Sequence, residues 1–300
     1  MWGKTRKKQP ATAQELVSQV EKLVSLPEVY FLIREKLADP LCSVNALAAI
    51  IQQDAGLTAR LLKLGNSPYF GYSNRVDTVS RAISIIGIRE LEFLVLATAA
   101  VERFSGLPVE LVNMASFWRH SIFTGVLSRL LARQCNVLHH ERLFVAGLLH
   151  DVGKLIIYHE LPDESREILA GLEEGDEVYG LEYGVLGFDH AEVGERLSAQ
   201  WRMPLSLQKA IGHHHSPADA GDFCLEASIV HVANMMAHAM ELKDEDDFSK
   251  RCEPFAWQLL KLPEARIKPM FQDAVMEFIE VLELLQPGAA EASSEDNSPW

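Results

Sequence analysis

Eleven histidines stand among the 300 residues, and they are not evenly spread. Imidazole titrates near neutral pH and is a common metal ligand, so their order along the chain is the first thing to read. His150 and Asp151 are adjacent at the end of the apolar helical run Leu143-Phe-Val-Ala-Gly-Leu-Leu, and Val152-Gly153-Lys154 follows. Neighbours on a helix diverge by about 100°. The pair can bracket one metal, or the carboxylate can bridge two. Imidazole with carboxylate suits iron, manganese, zinc or nickel. Lys154, one turn after His150, is placed to face an anionic ligand. His120 lies in Phe117-Trp-Arg-His-Ser-Ile, His190 opens a helix before Ala191-Glu-Val-Gly-Glu-Arg-Leu, and His213-His214-His215 ends a short helix before Ser216-Pro217. A lone histidine on a helix is most often a hydrogen-bonded structural residue; the ordered set points to a metal site of one or two divalent ions.

Residues so far apart need elements to bring them together, and those elements read as helices. Leu16, Val17, Val20, Leu23 and Val24 make one stripe across Ala13 to Leu26, the spacing of an amphipathic helix. Pro27, Asp39-Pro40, Gly56, Asn66-Ser67-Pro68, Gly87 and Pro108 divide the first part into five or six short helices, with Ser43 and Thr78 or Ser80 as N-caps. A second helical block runs from Pro108 to about Ser216. A third runs from Leu225 to Leu285, around breaks at Pro254, Pro263 and Pro269. Alternating strand patterns are nearly absent, so the expected fold is all-α. Residues 287–300 lack an apolar face and read as an acidic tail.

Composition narrows the function classes. With 28 Lys+Arg against 42 Asp+Glu the net charge is −14, which argues against broad phosphate-backbone binding and hence against nucleic acid as a partner. The basic start, Lys4 to Lys8, is read as a solvated terminus. The longest apolar stretch, Phe93 to Val101, falls short of the roughly 18 residues a membrane span requires. No apolar signal core follows Met1, so a cytoplasmic protein without a membrane partner is expected. Four separated cysteines form no CxxC pair and suggest neither a disulfide framework nor a zinc knuckle. Residues 171–190 carry six acids and no Lys or Arg, which a solvated face explains.

The succession His120, His150-Asp151, His190, His214-His215 resembles the metal-ligand order of the HD superfamily of phosphohydrolases, especially its HD-GYP branch. The first half resembles one member more narrowly. Leu26-Pro27, Leu47-Ala-Ala-Ile-Ile-Gln-Gln-Asp54, Leu57-Thr-Ala-Arg-Leu-Leu-Lys-Leu-Gly-Asn66-Ser67, Tyr69-Phe-Gly71 and Ala82-Ile-Ser-Ile-Ile-Gly87 are similar to the HDOD domain of bacterial signalling proteins. Asp189-His190-Ala-Glu-Val-Gly194, Trp201-Arg-Met-Pro204 and Ala210-Ile211 fit the same family, over about residues 22–220. The resemblance implies a multi-helix HD-like bundle preceded by an N-terminal helical subdomain. Its parts would be a basic segment and first helix (1–21), an N-terminal helical part (22–107), an HD-like part (108–220), a helical extension (221–286) and the tail (287–300).

The same resemblance implies metal ligands at His120, His150, Asp151, His190, His214 and His215, with Asp151 and Lys154 as the catalytic groups of any hydrolase. It also exposes departures. Enzymatic HD proteins complete the site with a late aspartate; here that place in Ile229-Val-His-Val-Ala-Asn234 holds Asn234, with His231 three residues earlier as an alternative ligand. An amide offers oxygen without charge, which lowers metal affinity and water activation. The GYP segment is replaced by His215-Ser-Pro-Ala-Asp-Ala-Gly, and Ser116 stands where some of those enzymes carry an extra glutamate. HDOD domains generally lack demonstrated hydrolase activity. Two functions follow as expectations: a non-catalytic signalling module with a partly retained metal site, acting on signalling protein partners, or a metal-dependent phosphohydrolase of a nucleotide or cyclic dinucleotide. A small phosphate-containing ligand suits either.

Overall fold

Side-chain caps begin the helices where short polar residues precede apolar ones. The computed structural model describes residues 10–21, 23–66, 75–105, 111–172, 178–242 and 248–285. The basic start, Tyr69-Phe-Gly71, Pro108, the acids at 173–177 and the tail lie outside the described residues. Thr12 caps α1 (Ala13–Gln19) by accepting from Glu15 N–H. Then come α2 (Glu28–Leu37), α3 (Val44–Ile51), capped by Ser43, α4 (Ala55–Gly65), α5 (Val79–Ile86), capped by Thr78 rather than Ser80, and α6 (Ile88–Ser105). Each cap satisfies an N–H that the helix leaves without a partner, worth about 1 kcal/mol.

The first helix is shorter than its apolar stripe. It stops at Gln19, and the N–H groups of Leu23 and Val24 both turn to Val20 O. Pro27 disfavours helical backbone at Leu26. Leu16, Val17, Val20 and Val24 are buried all the same, because the turn returns them to the core.

The second half comprises α7 (Met114–Gln134), α8 (Glu141–Leu149), α9 (Val152–Glu160), α10 (Pro162–Ala170), α11 (Val178–Leu186), α12 (His190–Gln200), α13 (Leu205–Gly212), two 3-10 turns at Pro217–Asp219 and Gly221–Phe223, and α14 (Cys224–Glu241). After it come α15 (Phe248–Arg251), α16 (Pro254–Leu260) and α17 (Glu264–Leu285). Pro269 does not break the chain as its sequence position suggests; it lies inside α17. A proline there forfeits a backbone bond at about 3 kcal/mol, and burial of Met270, Phe271, Ala274, Phe278 and Leu282 on one face of the same helix offsets that.

No strand occurs among the described residues, so the all-α expectation holds. Helix α7 is the axis, with α8, α14 and α17 packed on it. Gly147 lets α8 approach it closely: a Cβ there would meet Ser128 Oγ at 2.5 Å and Thr124 O at 2.7 Å. The two halves share one apolar core, and Trp201, at the end of α12, fastens them. Its indole N–H donates to Val24 O at 3.0 Å, and its ring lies 6.0 Å from that of Phe104. Arg34, paired with Glu92 at 2.9 Å, donates to Trp201 O. No described helix is long and apolar enough to cross a membrane.

Candidate metal centre

Three junctions between helices bring the histidines to one carboxylate. His150 caps the C-terminus of α8, and Asp151 (φ −97°, ψ 1°) leaves helical geometry before α9 begins. The pair therefore sits at a corner between two helices instead of within one. At α9, Gly153 has no side chain to keep α12 away; a Cβ would lie 2.0 Å from His190 O. That contact sets His190, the first residue of α12, beside Asp151. Asp189 caps α12 through Glu192 N–H at 2.8 Å. His214 and His215 follow the end of α13, in the turn that precedes Pro217.

Hydrogen bonds decide which nitrogen each ring presents. His150 Nδ1–H donates to Gly147 O at 2.7 Å, and His214 Nδ1–H donates to Ile211 O at 2.7 Å. A neutral ring that donates from Nδ1 carries its lone pair on Nε2. Both of those Nε2 atoms are buried and lack a hydrogen-bond partner. His190 is held the same way: Glu182 Oε2 accepts its backbone N–H at 2.8 Å and lies 2.5 Å from its Nδ1. Its Nε2 lies 3.2 Å from Asp151 Oδ1 and 2.9 Å from His215 Nε2. His214 Nε2 is 3.8 Å from the same oxygen, and His150 Nε2 is 3.5 Å from Asp151 Oδ2. Lys154 Nζ reaches Oδ2 at 2.7 Å, so the cation expected to face a ligand is joined to the aspartate.

Burial and neighbouring charge shape the protonation of this cluster. Burial pushes His150 down to about 3 and holds His214 and His215 well below the usual imidazole range. Asp151 is buried too, but contacts with His150, Lys154 and His190 keep it well below the ordinary carboxylate value. His190 goes the other way. Burial opposes its proton, yet Glu182 and Asp151 raise it to about 9. Asp151 thus lies between Lys154 on Oδ2 and His190 on Oδ1. Orphaned Nε2 atoms facing an ionised carboxylate, with carboxylate or carbonyl partners behind the rings, fit a divalent cation of the iron, manganese, zinc or nickel group.

On the other side of His150, 5.4 Å away between ring centroids, His120 projects from α7. Its Nε2 lies 3.0 Å from Asn234 Oδ1 and its Nδ1 2.9 Å from Glu241 Oε1. His231 does not complete the site: its Nδ1–H donates to His214 O at 2.7 Å and its Nε2 accepts from Glu253 N–H at 2.8 Å, so both nitrogens hold backbone. Ligand atoms lie within 4.8 Å of one another in three groups: His190, His214 and His215; His120, His150 and Asp151; and His120, His238 and Glu241.

Sequence reading missed Glu182, His238 and Glu241. Glu182 belongs to the acidic stretch read as a solvated face, but it is fully buried behind His190. No sequence pattern marks an acid as buried. His238 and Glu241 stand four and seven residues after Asn234, a helical spacing that could have drawn attention to that face of α14.

The HDOD domain model matches residues 23–217. A Treponema pallidum protein without an assigned function is 27% identical over 229 residues, which are 74% of this chain and 44% of that relative; the chain thus spans less than half of it. The solved HDOD domain protein of unknown function from Geobacter sulfurreducens superposes with a TM-score of 0.75 at 23% identity, covering 92% of this chain and 97% of that one. A phosphohydrolase candidate from Shewanella amazonensis gives 0.72 at 24% identity, covering 92% and 98%. At these identities the solved structures speak for the fold. Together with the motifs from Leu26 to Ile211, the match over residues 23–217 makes this chain a member of the HDOD domain family.

Proposed function

We propose that this protein is a non-catalytic signalling module that holds a divalent metal and, over it, a small phosphate-containing ligand. One observation carries the reading. On the Nε2 side of His120, α14 places Asn234, a buried amide, where the HD enzymes this chain resembles use a carboxylate; Glu241 of the same helix lies against Nδ1. Among the described residues Asp151 is then the carboxylate that the Nε2 atoms of His150, His190 and His214 face, and its second oxygen is engaged by Lys154 at 2.7 Å.

Asp151, His150, His190, His214 and His215 would hold the ion, with His120 and Asn234 bordering them. When bound, such a metal supplies Lewis acidity that polarises a phosphoryl oxygen and acidifies water. The chain's own residues do the rest. Gly147 O and Ile211 O fix the tautomers of His150 and His214, and Glu182 orients His190. A dication with Lys154 outweighs Asp151 and the buried Glu182 behind His190, which leaves the pocket positive and attracts an anion. Occupancy of that pocket is the state handed on to signalling partners.

The second reading, a phosphohydrolase, is favoured by the orphaned Nε2 atoms of His150 and His214, whose arrangement a metal-dependent enzyme would also need. Elemental analysis of purified protein, with assays of cyclic dinucleotides and simple phosphodiesters in manganese or iron(II), separates the two. Bound metal without turnover is the expected result. Turnover that disappears in Asp151→Ala would overturn the non-catalytic reading.

A further inference from the structure

We infer a second cation site at the end of α14, formed by His120, His238 and Glu241 and distinct from the cluster around Asp151. It shares His120 with the border of the central cluster and does not need that cluster to be metal-bound. Asn234, His238 and Glu241 follow one another at helical spacing and face His120 across the α7–α14 contact. Glu241 lies between the two rings: Oε1 is 2.9 Å from His120 Nδ1 and Oε2 is 3.2 Å from His238 Nδ1. The rings themselves are 4.5 Å apart.

The amide of Asn234 gives this arrangement a direction. Its oxygen is 3.0 Å from His120 Nε2, and a carbonyl oxygen only accepts, so Nε2 carries the hydrogen. His120 Nδ1 then faces a Glu241 carboxylate oxygen across 2.9 Å. That separation is bridged by a proton or, once the proton is displaced, by a metal ion. Two imidazoles and one carboxylate are the donor set of catalytic zinc sites and of non-haem iron triads, which leave coordination positions open. Ligands at about 2.0–2.2 Å from an ion stand roughly 3–3.5 Å from each other, close to the separations found here. The His238 and Glu241 side chains are 42% and 36% exposed, so an ion has a path from solvent, while His120 is buried. The occupant is a divalent cation of the zinc class, its open positions filled by water or by an anionic oxygen.

The test uses the full chain, stripped with chelator and reloaded with Co²⁺ or Zn²⁺, with bound ions counted by elemental analysis and Co²⁺ followed by its visible absorption. Glu241→Gln and His238→Gln are each expected to lose one equivalent of ion relative to the unsubstituted chain. Asp151→Asn is expected to retain that equivalent. Both outer residues are partly exposed, and circular dichroism checks that the variants fold. If Glu241→Gln and His238→Gln bind as many ions as the parent with the same spectrum, the three groups are joined by protons and the site is refuted. Loss of an ion in those two variants with none lost in Asp151→Asn would uphold this site and overturn the central one.

Discussion

Helices α1–α6 and α7–α14 share one apolar core, yet they bury different polar groups. In the first set the buried polar side chain among the described residues is Thr98. In the second there are sixteen, from His120 to Asn234, including Asp151, Glu182 and five histidines. A buried ionisable group destabilises a fold unless it is paired, and even a good pair is often matched by an apolar replacement. The first half is therefore built for packing. The second half accepts a cost in stability to keep charged groups and candidate metal ligands together, and that asymmetry marks the half that carries the candidate site.

Four substitutions and one titration would break or sharpen the contrast. Asp151→Asn should have the largest effect. Metal affinity at the central cluster should fall by more than the roughly 100-fold that marks loss of an outer partner, as read by calorimetric titration. Phe104→Ala, in the first half, should cost about 3–5 kcal/mol in denaturant unfolding and leave metal stoichiometry unchanged. A loss of metal there would mean that the two halves do not divide as described. Glu182→Gln touches no central ligand atom except through His190, and should weaken metal binding roughly 10–100-fold in the same titration. Gly153→Ala inserts a methyl against His190 O; about 1–3 kcal/mol of stability should go, as for other overpacked sites, together with some metal affinity.

The smallest effect is on pH. In chelated protein, His150, His214 and His215 have folded values below the unfolded one, so the stability they contribute is present above about pH 6.5 and is lost as pH falls. His190 is raised to about 9, so its contribution is present below the unfolded value and disappears as pH climbs toward 9. The melting temperature of the chelated chain should peak near neutrality and decline on both sides, with the alkaline decline reduced by metal, which replaces the proton on His190. A melting temperature that rises steadily from neutral pH to pH 9 in chelator would contradict this assignment.

Much of the scaffold was legible because its signals are local. Ser43 and Thr78 cap helices for reasons contained in a few residues, and the apolar stripes of α3 and α5 face the core that their spacing requires. Two local signals were outweighed by packing: the stripe running to Val24 outlasts its helix, and Pro269 stays inside one. The candidate site was legible as residue types in order. Its second layer was not, since the burial of Glu182 behind His190 and the backbone-holding role of His231 are recognisable only by what lies next to them.

The sequence by itself determined that the protein is helical, that it belongs with the HDOD domains, and that His150-Asp151, His190 and His214-His215 are worth bringing together, because capping, periodicity and residue chemistry are properties of short segments. Only the tertiary structure decided which nitrogen each ring turns inward. That depends on partners far away in the chain or on backbone at helix ends: Gly147 O for His150, Ile211 O for His214, Glu182 for His190, Asn234 and Glu241 for His120. A lone pair becomes a ligand or a structural acceptor according to the atom opposite it, and that atom is supplied by the fold.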